Sequence, residues 1–254
     1  MNALELIDLR KEFKETIAID NLNLKIRKGI FFGFLGPNGA GKTTTIMIIA
    51  GLLKPTSGMV RILGLDIEKD EFEYKRHIGI VLDRPLYFEK LTGKEYLSFV
   101  GIMYRLEKQL VKNRTEELLS YLEIEEKKDD LIESYSAGMK KKISLGAAII
   151  HNPDLLILDE PFEGIDPISA KSITNALKSM VCKGTTVFMT SHNLELVEKL
   201  CDEVAIINKG KLIFQSSVEK FREEIKKGGQ SNLENLYIEL LAGENEKRSL
   251  SWLE

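Results

Sequence analysis

The sequence predicts an α/β fold: a mostly parallel sheet flanked by helices, with a small antiparallel β element and an inserted α-helical subdomain. Three observations predict it. Short, nearly continuous apolar runs at 29–35 (GIFFGFL), 155–160 (LLILDE) and 185–192 (TTVFMTSH) have the composition of strands buried on both faces. From Tyr87 to Ile150 the strand signal gives way to helical periodicity. Residues 204–214 read as a hairpin turning at Lys209 and Gly210.

Taken in order, ALELIDLRKEF (3–13) and AIDNLNLKI (18–26) read as short sheet strands. The apolar run at 29–35 leads into a helix over 42–53, which KPTSG (54–58) ends. IGIVLD (78–83) reads as another strand. The helical insertion holds periodic segments at 91–106, 112–124 and 137–150. The reading is one domain over 1–215, with its core at about 1–86 and 151–215 and its helical subdomain at about 87–150. A helical tail over 216–254 follows, with NLENLYIELLAG (232–243) as its helix and a mobile end.

Bulk composition narrows the function. The 254 residues are 43% hydrophobic and 30% charged, a globular balance. The net charge of −3 gives no basic field for nucleic acid, so no nucleic-acid partner is expected. Cys182 and Cys201 lack metal-ligand spacing and read as reduced, partly buried thiols. The start lacks the plan of a signal peptide, and no apolar run approaches the ~18–20 residues of a spanning helix. The expectation is a cytoplasmic chain that meets a membrane only through a partner.

GPNGAGKTT (36–44) carries the chemistry of a phosphate cradle. Gly36, Gly39 and Gly41 let backbone N–H groups turn inward around phosphate oxygens, with Pro37, Asn38 and Ala40 completing the loop. The following helix aims its positive end at the same anion. Lys42 would neutralise the β- and γ-phosphates, and Thr43, followed by Thr44, would offer a hydroxyl to Mg²⁺.

LLILDEP (155–161) supplies a second half. Asp159 suits a water-mediated Mg²⁺ ligand, and Glu160 can polarise an attacking water. The expectation is that this strand lies next to the strand before the cradle. His192 ends a third apolar strand and can donate to a γ-phosphate, whereas His77 and His151 have no such context and read as structural. Asp166 is also placed to cap a helix beginning at Pro167.

SYSAGMKKKI (134–143) raises a different question, because Ser136 has no acid, histidine or cysteine nearby to make it a nucleophile. At this point the motif order resembles the ATP-binding cassette (ABC) ATPase family over roughly residues 2–215. GPNGAGKTT resembles its Walker A, LLILDEP its Walker B, GID (164–166) its D-loop and Ser191-His192 its switch histidine. YSAGMKKKI resembles its signature: Ser136 and Gly138 match, Ala137 fills a glycine slot and Met139 replaces a glutamine. Phe13 falls where the family places an aromatic that stacks on adenine, a contact worth roughly 1–3 kcal/mol; core packing is the less favoured alternative. Asp83 stands where the family commonly has a glutamine. An acid there can bind Mg²⁺ but cannot donate to water, and resembles bacterial cassettes of peptide-antibiotic export; a solvated loop carboxylate is the alternative.

The resemblance implies that Ser136 and Gly138 complete the site of a neighbouring cassette, so that ATP joins two cassettes and hydrolysis by Glu160 releases them. It implies ATP and Mg²⁺ as ligands, separate membrane-spanning permease subunits, and a second cassette in a homodimer or heterodimer. It places the chain peripherally on the inner face of the membrane, and the signature style with the tail resembles ABC-2-type exporters. A soluble ABC ATPase of translation or DNA, and a non-hydrolysing ATP-gated assembly module, are the other readings. No long heptad run separates Lys42 from Asp159, as a DNA-end cassette would need.

Overall fold

The computed structural model describes residues 1–83, 87–227 and Tyr237. The strands are β1 (Asn2–Phe13), β2 (Thr16–Arg27), β3 (Phe31–Leu35), β4 (Ser57–Ile62), β5 (Leu65–Asp66), β6 (Ile78–Val81), β7 (Leu155–Asp159), β8 (Thr186–Ser191), β9 (Glu203–Asn208) and β10 (Lys211–Ser217). The helices are α1 (Lys42–Ile49), α2 (Glu71–Lys75), α3 (Gly93–Met103), α4 (Lys108–Tyr121), α5 (Ala137–Ile149), α6 (Pro167–Cys182), α7 (Leu194–Leu200) and α8 (Val218–Lys227).

An antiparallel sheet of order β2-β1-β4-β5 packs beside a larger sheet of order β10-β9-β3-β8-β7-β6. The larger sheet is parallel from β9 to β6, and β10 closes it as the antiparallel arm of the expected hairpin. Alternation along β3 assigns the two faces. Phe32 and Phe34 join the cluster shared with the smaller sheet, where both rings meet Phe188 at 5.9 and 5.4 Å between centroids. Phe31 and Leu35 join the cluster on the opposite face, which is continuous with Leu97, Ile132, Ile143 and Leu145 of the helical insertion. The insertion thus shares its core with the sheet. Its last helix docks so closely that a Cβ on Gly79 of β6 would stand 2.0 Å from the Ala148 carbonyl oxygen.

Several local expectations need correction. β1 and β2 are not short; each spans 12 residues. Their apolar alternation is broken at Asp8 and Asn21, which adopt φ of 47° and 53° at register shifts, and the Asn23 side chain bonds Asp8 across the irregularity. Polar bulge residues made one long ribbon read as two short runs. The helix expected over 42–53 stops at Ile49, with Gly51 at φ 71° just beyond it. Cys182 is exposed rather than partly buried; Cys201 is buried, and both are free thiols. The helix expected at 232–243 and the mobile end lie outside the described residues, apart from Tyr237.

His77 and His151 have structural partners. His77 Nδ1 meets Asp154 Oδ2 at 2.7 Å. The His151 ring stacks on Tyr104 at 3.6 Å between centroids, and its Nε2 donates to the Ile78 carbonyl at 2.9 Å. Burial pushes the His151 imidazole down from 6.5 to about 4. The folded protein therefore resists protonation that the unfolded chain accepts. Stability conferred by the neutral ring is complete above 6.5 and is lost as pH falls toward 4. The total is about 3 kcal/mol. Denaturant unfolding between pH 7 and 4 should show this loss, and His151→Phe, which keeps the ring stack, should flatten it.

Candidate functional site

Four neighbouring strands of the larger sheet deliver their carboxyl ends to one edge. β3 opens into the 36–44 loop, β6 leads to Asp83, β7 ends in Asp159 followed by Glu160, and β8 leads to His192. A cavity of about 540 Å³ forms there, lined by Pro37 to Thr44, Asp83, Asp159, Glu160 and His192, with Thr16, Ile17, Ala18 and Glu163 completing the wall. The crevice beyond strand carboxyl ends is where open α/β sheets gather ligands.

The loop's glycines are dictated by space as well as torsion. Gly41 adopts φ 107°, and a Cβ there would stand 2.6 Å from the Ala18 carbonyl oxygen. A Cβ on Gly36 would stand 2.4 Å from the Ile207 carbonyl oxygen. Lys42 opens α1 and is buried, its Nζ donating to the Gly36 carbonyl at 2.7 Å and more weakly to Pro37 at 3.3 Å. Burial pushes its ammonium below the usual lysine value, against the opposing pull of Glu160 and Asp159.

Contrary to expectation, β3 and β7 are not neighbours: β8 lies between them, pairing with both. The chain returns through α6 to fill the gap, which no local sequence feature signals. The interposed strand brings a residue that sequence reasoning missed. Thr190 Oγ1 donates to Asp159 Oδ1 at 2.6 Å and accepts from the Glu160 amide at 3.1 Å. Asp159 is 1% exposed, and its Oδ2 has no partner among the described residues. Glu160 steps into the left-handed region at φ 46°, a conformation an L-residue keeps only when its surroundings impose it. Its Oε1 lies 3.0 Å from His192 Nδ1.

The remaining candidates, Asp83 excepted, lie apart from this cavity wall. Phe13 is at the tip of the β1–β2 hairpin, 45% exposed, with Lys11 Nζ 5.0 Å from its ring centroid. It is neither core nor wall; Ile17 stands in the wall instead. Ser136 caps α5 by accepting from the Met139 amide at 3.2 Å, and Gly138 sits against the Gly164 carbonyl, which a Cβ would approach to 3.2 Å. Asp166 caps α6, accepting from the amides of Ile168 and Ser169 ahead of Pro167 at the first position. Asp83 lines the cavity, and Lys141 Nζ of α5 lies 4.0 Å from its Oδ1.

Comparisons with known proteins agree on one family. The profile of the family described as ABC transporter matches residues 19–163. The linearmycin resistance ATP-binding protein LnrL of Bacillus subtilis is 41% identical over 83% of this chain and 68% of that protein. The bacitracin transport ATP-binding protein BcrA of Bacillus licheniformis is 36% identical over 87% of this chain and 71% of that protein. A solved ATP-binding subunit of an ABC transporter superposes with a TM-score of 0.87 at 28% identity, over 94% of this chain and 99% of that one. A dimeric ATP-binding cassette in a post-hydrolysis state with ADP and phosphate superposes at 0.78 with 25% identity, over 85% and 98%.

Replacing Thr190 by Val should remove the protein partner of Asp159 Oδ1 and leave the buried carboxylate unsatisfied. The expected loss is about 1–3 kcal/mol in urea unfolding, with Thr190→Ser recovering most of it.

Proposed function

This chain belongs to the ABC transporter family as an ATP-binding, ATP-hydrolysing subunit, and we propose that it powers export through separate membrane-spanning subunits by joining a second copy of itself around ATP. The observation that carries the homodimer reading is the position of the signature. Ser136 and Gly138 lie outside the wall of the chain's own phosphate cavity, at the amino end of α5. A helix amino end presents free N–H groups and partial positive charge to an anion. Placed over a neighbour's cavity, it would close that site. Asp166 and Gly164 beside it would belong to the same joint.

Charge supports a divalent cation. Asp83, Asp159, Glu160 and Glu163 line the cavity against a single lysine, Lys42. A polyanionic nucleotide would be repelled from such a wall without added positive charge. The orphaned Oδ2 of Asp159 fits a Mg²⁺ site, directly or through water, and Thr43 and Asp83 are the further candidates. When bound, Mg²⁺ supplies charge neutralisation at the phosphates.

The chain's own residues then divide the work. The glycine loop and Lys42 hold the β- and γ-phosphates. Glu160 accepts a proton from the attacking water, and the nearby His192 holds Glu160 in place and donates to the γ-phosphate. Phe13, with Ile17 in the wall, is the candidate for the adenine face. Among the described residues no helix is long and apolar enough to cross a membrane. Peripheral attachment to the inner face through permease subunits follows from the transport reading. Phe88, Phe99, Ile102 and Met103 stand exposed on the helical insertion, Phe88 edge-on to Phe99 at 5.2 Å, and offer an apolar docking surface.

The transport and resistance functions in the relatives' names favour this reading over a ribosome- or DNA-linked ATPase and over a non-hydrolysing module. Glu160→Gln should lower ATP turnover by roughly 10²-fold or more. It should also yield a dimer in light scattering only with ATP and Mg²⁺. Adding Ser136→Arg should abolish that dimer; a chain that stays monomeric in both forms would point instead to a different partner cassette.

A further inference from the structure

Three consecutive lysines follow the signature, and each meets a carboxylate from a different segment. Lys140 Nζ lies 3.6 Å from Glu89, Lys141 Nζ 4.0 Å from Asp83 and Lys142 Nζ 3.6 Å from Glu123. Lys141 and Lys142 are buried in the fold, where an ammonium is costly unless paired. Among the three acids, Asp83 alone lines the phosphate cavity. The Lys141–Asp83 pair therefore joins the helix that carries Ser136 to the cavity wall.

Asp83 is about half exposed, so its side chain is free to turn. Turned toward the phosphates it would add a negative charge to a wall that already has three other carboxylates and one lysine. Turned toward α5, as here, its charge is offset by a lysine that does not itself line the cavity.

We infer that Lys141 is a positioning residue for nucleotide binding: while no Mg²⁺ is bound it holds the Asp83 carboxylate against α5, away from the phosphates, and in doing so ties the signature helix to the cavity. The inference rests on the reading of this cavity as the ATP site.

The test is ATP binding to the full chain by calorimetry in EDTA, so that Mg²⁺ ligation plays no part. Lys141→Gln should weaken binding by roughly three- to fivefold, the upper scale of a partly exposed charge pair. In the Asp83→Asn background the same change should alter affinity by less than about twofold, because Lys141 acts through Asp83. Lys142→Gln, equally buried but paired outside the cavity, should lower the melting temperature and leave affinity unchanged. An equal effect of Lys141→Gln in both backgrounds, or an equal loss in Lys142→Gln, overturns the proposal. Should Lys141→Gln alone prove unstable, Asp83→Asn is expected to restore its folding, and additive stability effects would overturn the pairing. A wild-type chain that binds no ATP, even with Mg²⁺, overturns the nucleotide reading itself.

Discussion

A buried carboxylate with one free oxygen is the constraint around which this structure is arranged. Asp159 ends β7, flanked by β6 on one side and β8 on the other, and is almost wholly removed from solvent. Such a charge is tolerated only with partners close at hand. Thr190 supplies one from the neighbouring strand and also receives the Glu160 amide. That second bond helps hold Glu160 in its left-handed step, from which its carboxylate meets His192. Lys42 is near enough for Glu160 and Asp159 to pull against the effect of its burial. The free Oδ2 faces no protein donor among the described residues, and a cation is the partner it suits.

The same electrostatics supports the proposal that two chains share each site. A wall of four carboxylates and one lysine holds a polyanion poorly on its own. Positive potential must arrive from a cation and from a helix end. The signature helix of this chain is turned elsewhere, its first residues resting on Gly164 near the α6 cap. Its lysines pair with acids of the cavity loop, the insertion and the turn after α4. In the proposed symmetric pair, each chain would lend its helix to the other.

Much of this was legible in sequence because the decisive pieces are contiguous. The 36–44 loop, the Asp159-Glu160 step and His192 each sit at the end of an unbroken apolar run, so strand and site announce each other. The helical insertion was legible from its period, and Asp166 as a cap from the proline after it. Strand order was not, because adjacency depends on where a crossover returns; β8 came to lie between β3 and β7 with no local sign. Thr190 was therefore missed, although a hydroxyl two residues before His192 on a buried strand was the available clue. Phe13 was legible only as an aromatic at the expected spacing; it stands exposed at a hairpin tip, apart from the cavity wall to which Ile17 contributes. The length of the β1–β2 ribbon was hidden by its bulges.

The central claim is that each hydrolytic site is built from two copies of this chain. Mixing two inactive variants tests it most directly. Lys42→Ala spoils the cavity of its own chain, and Ser136→Arg spoils only what its chain lends to a neighbour. A mixed dimer then contains one site with both defects and one with neither. The account predicts that the mixture hydrolyses ATP well above the sum of the two variants measured separately. Activity no greater than that sum, with mixed dimers shown to form, would contradict it.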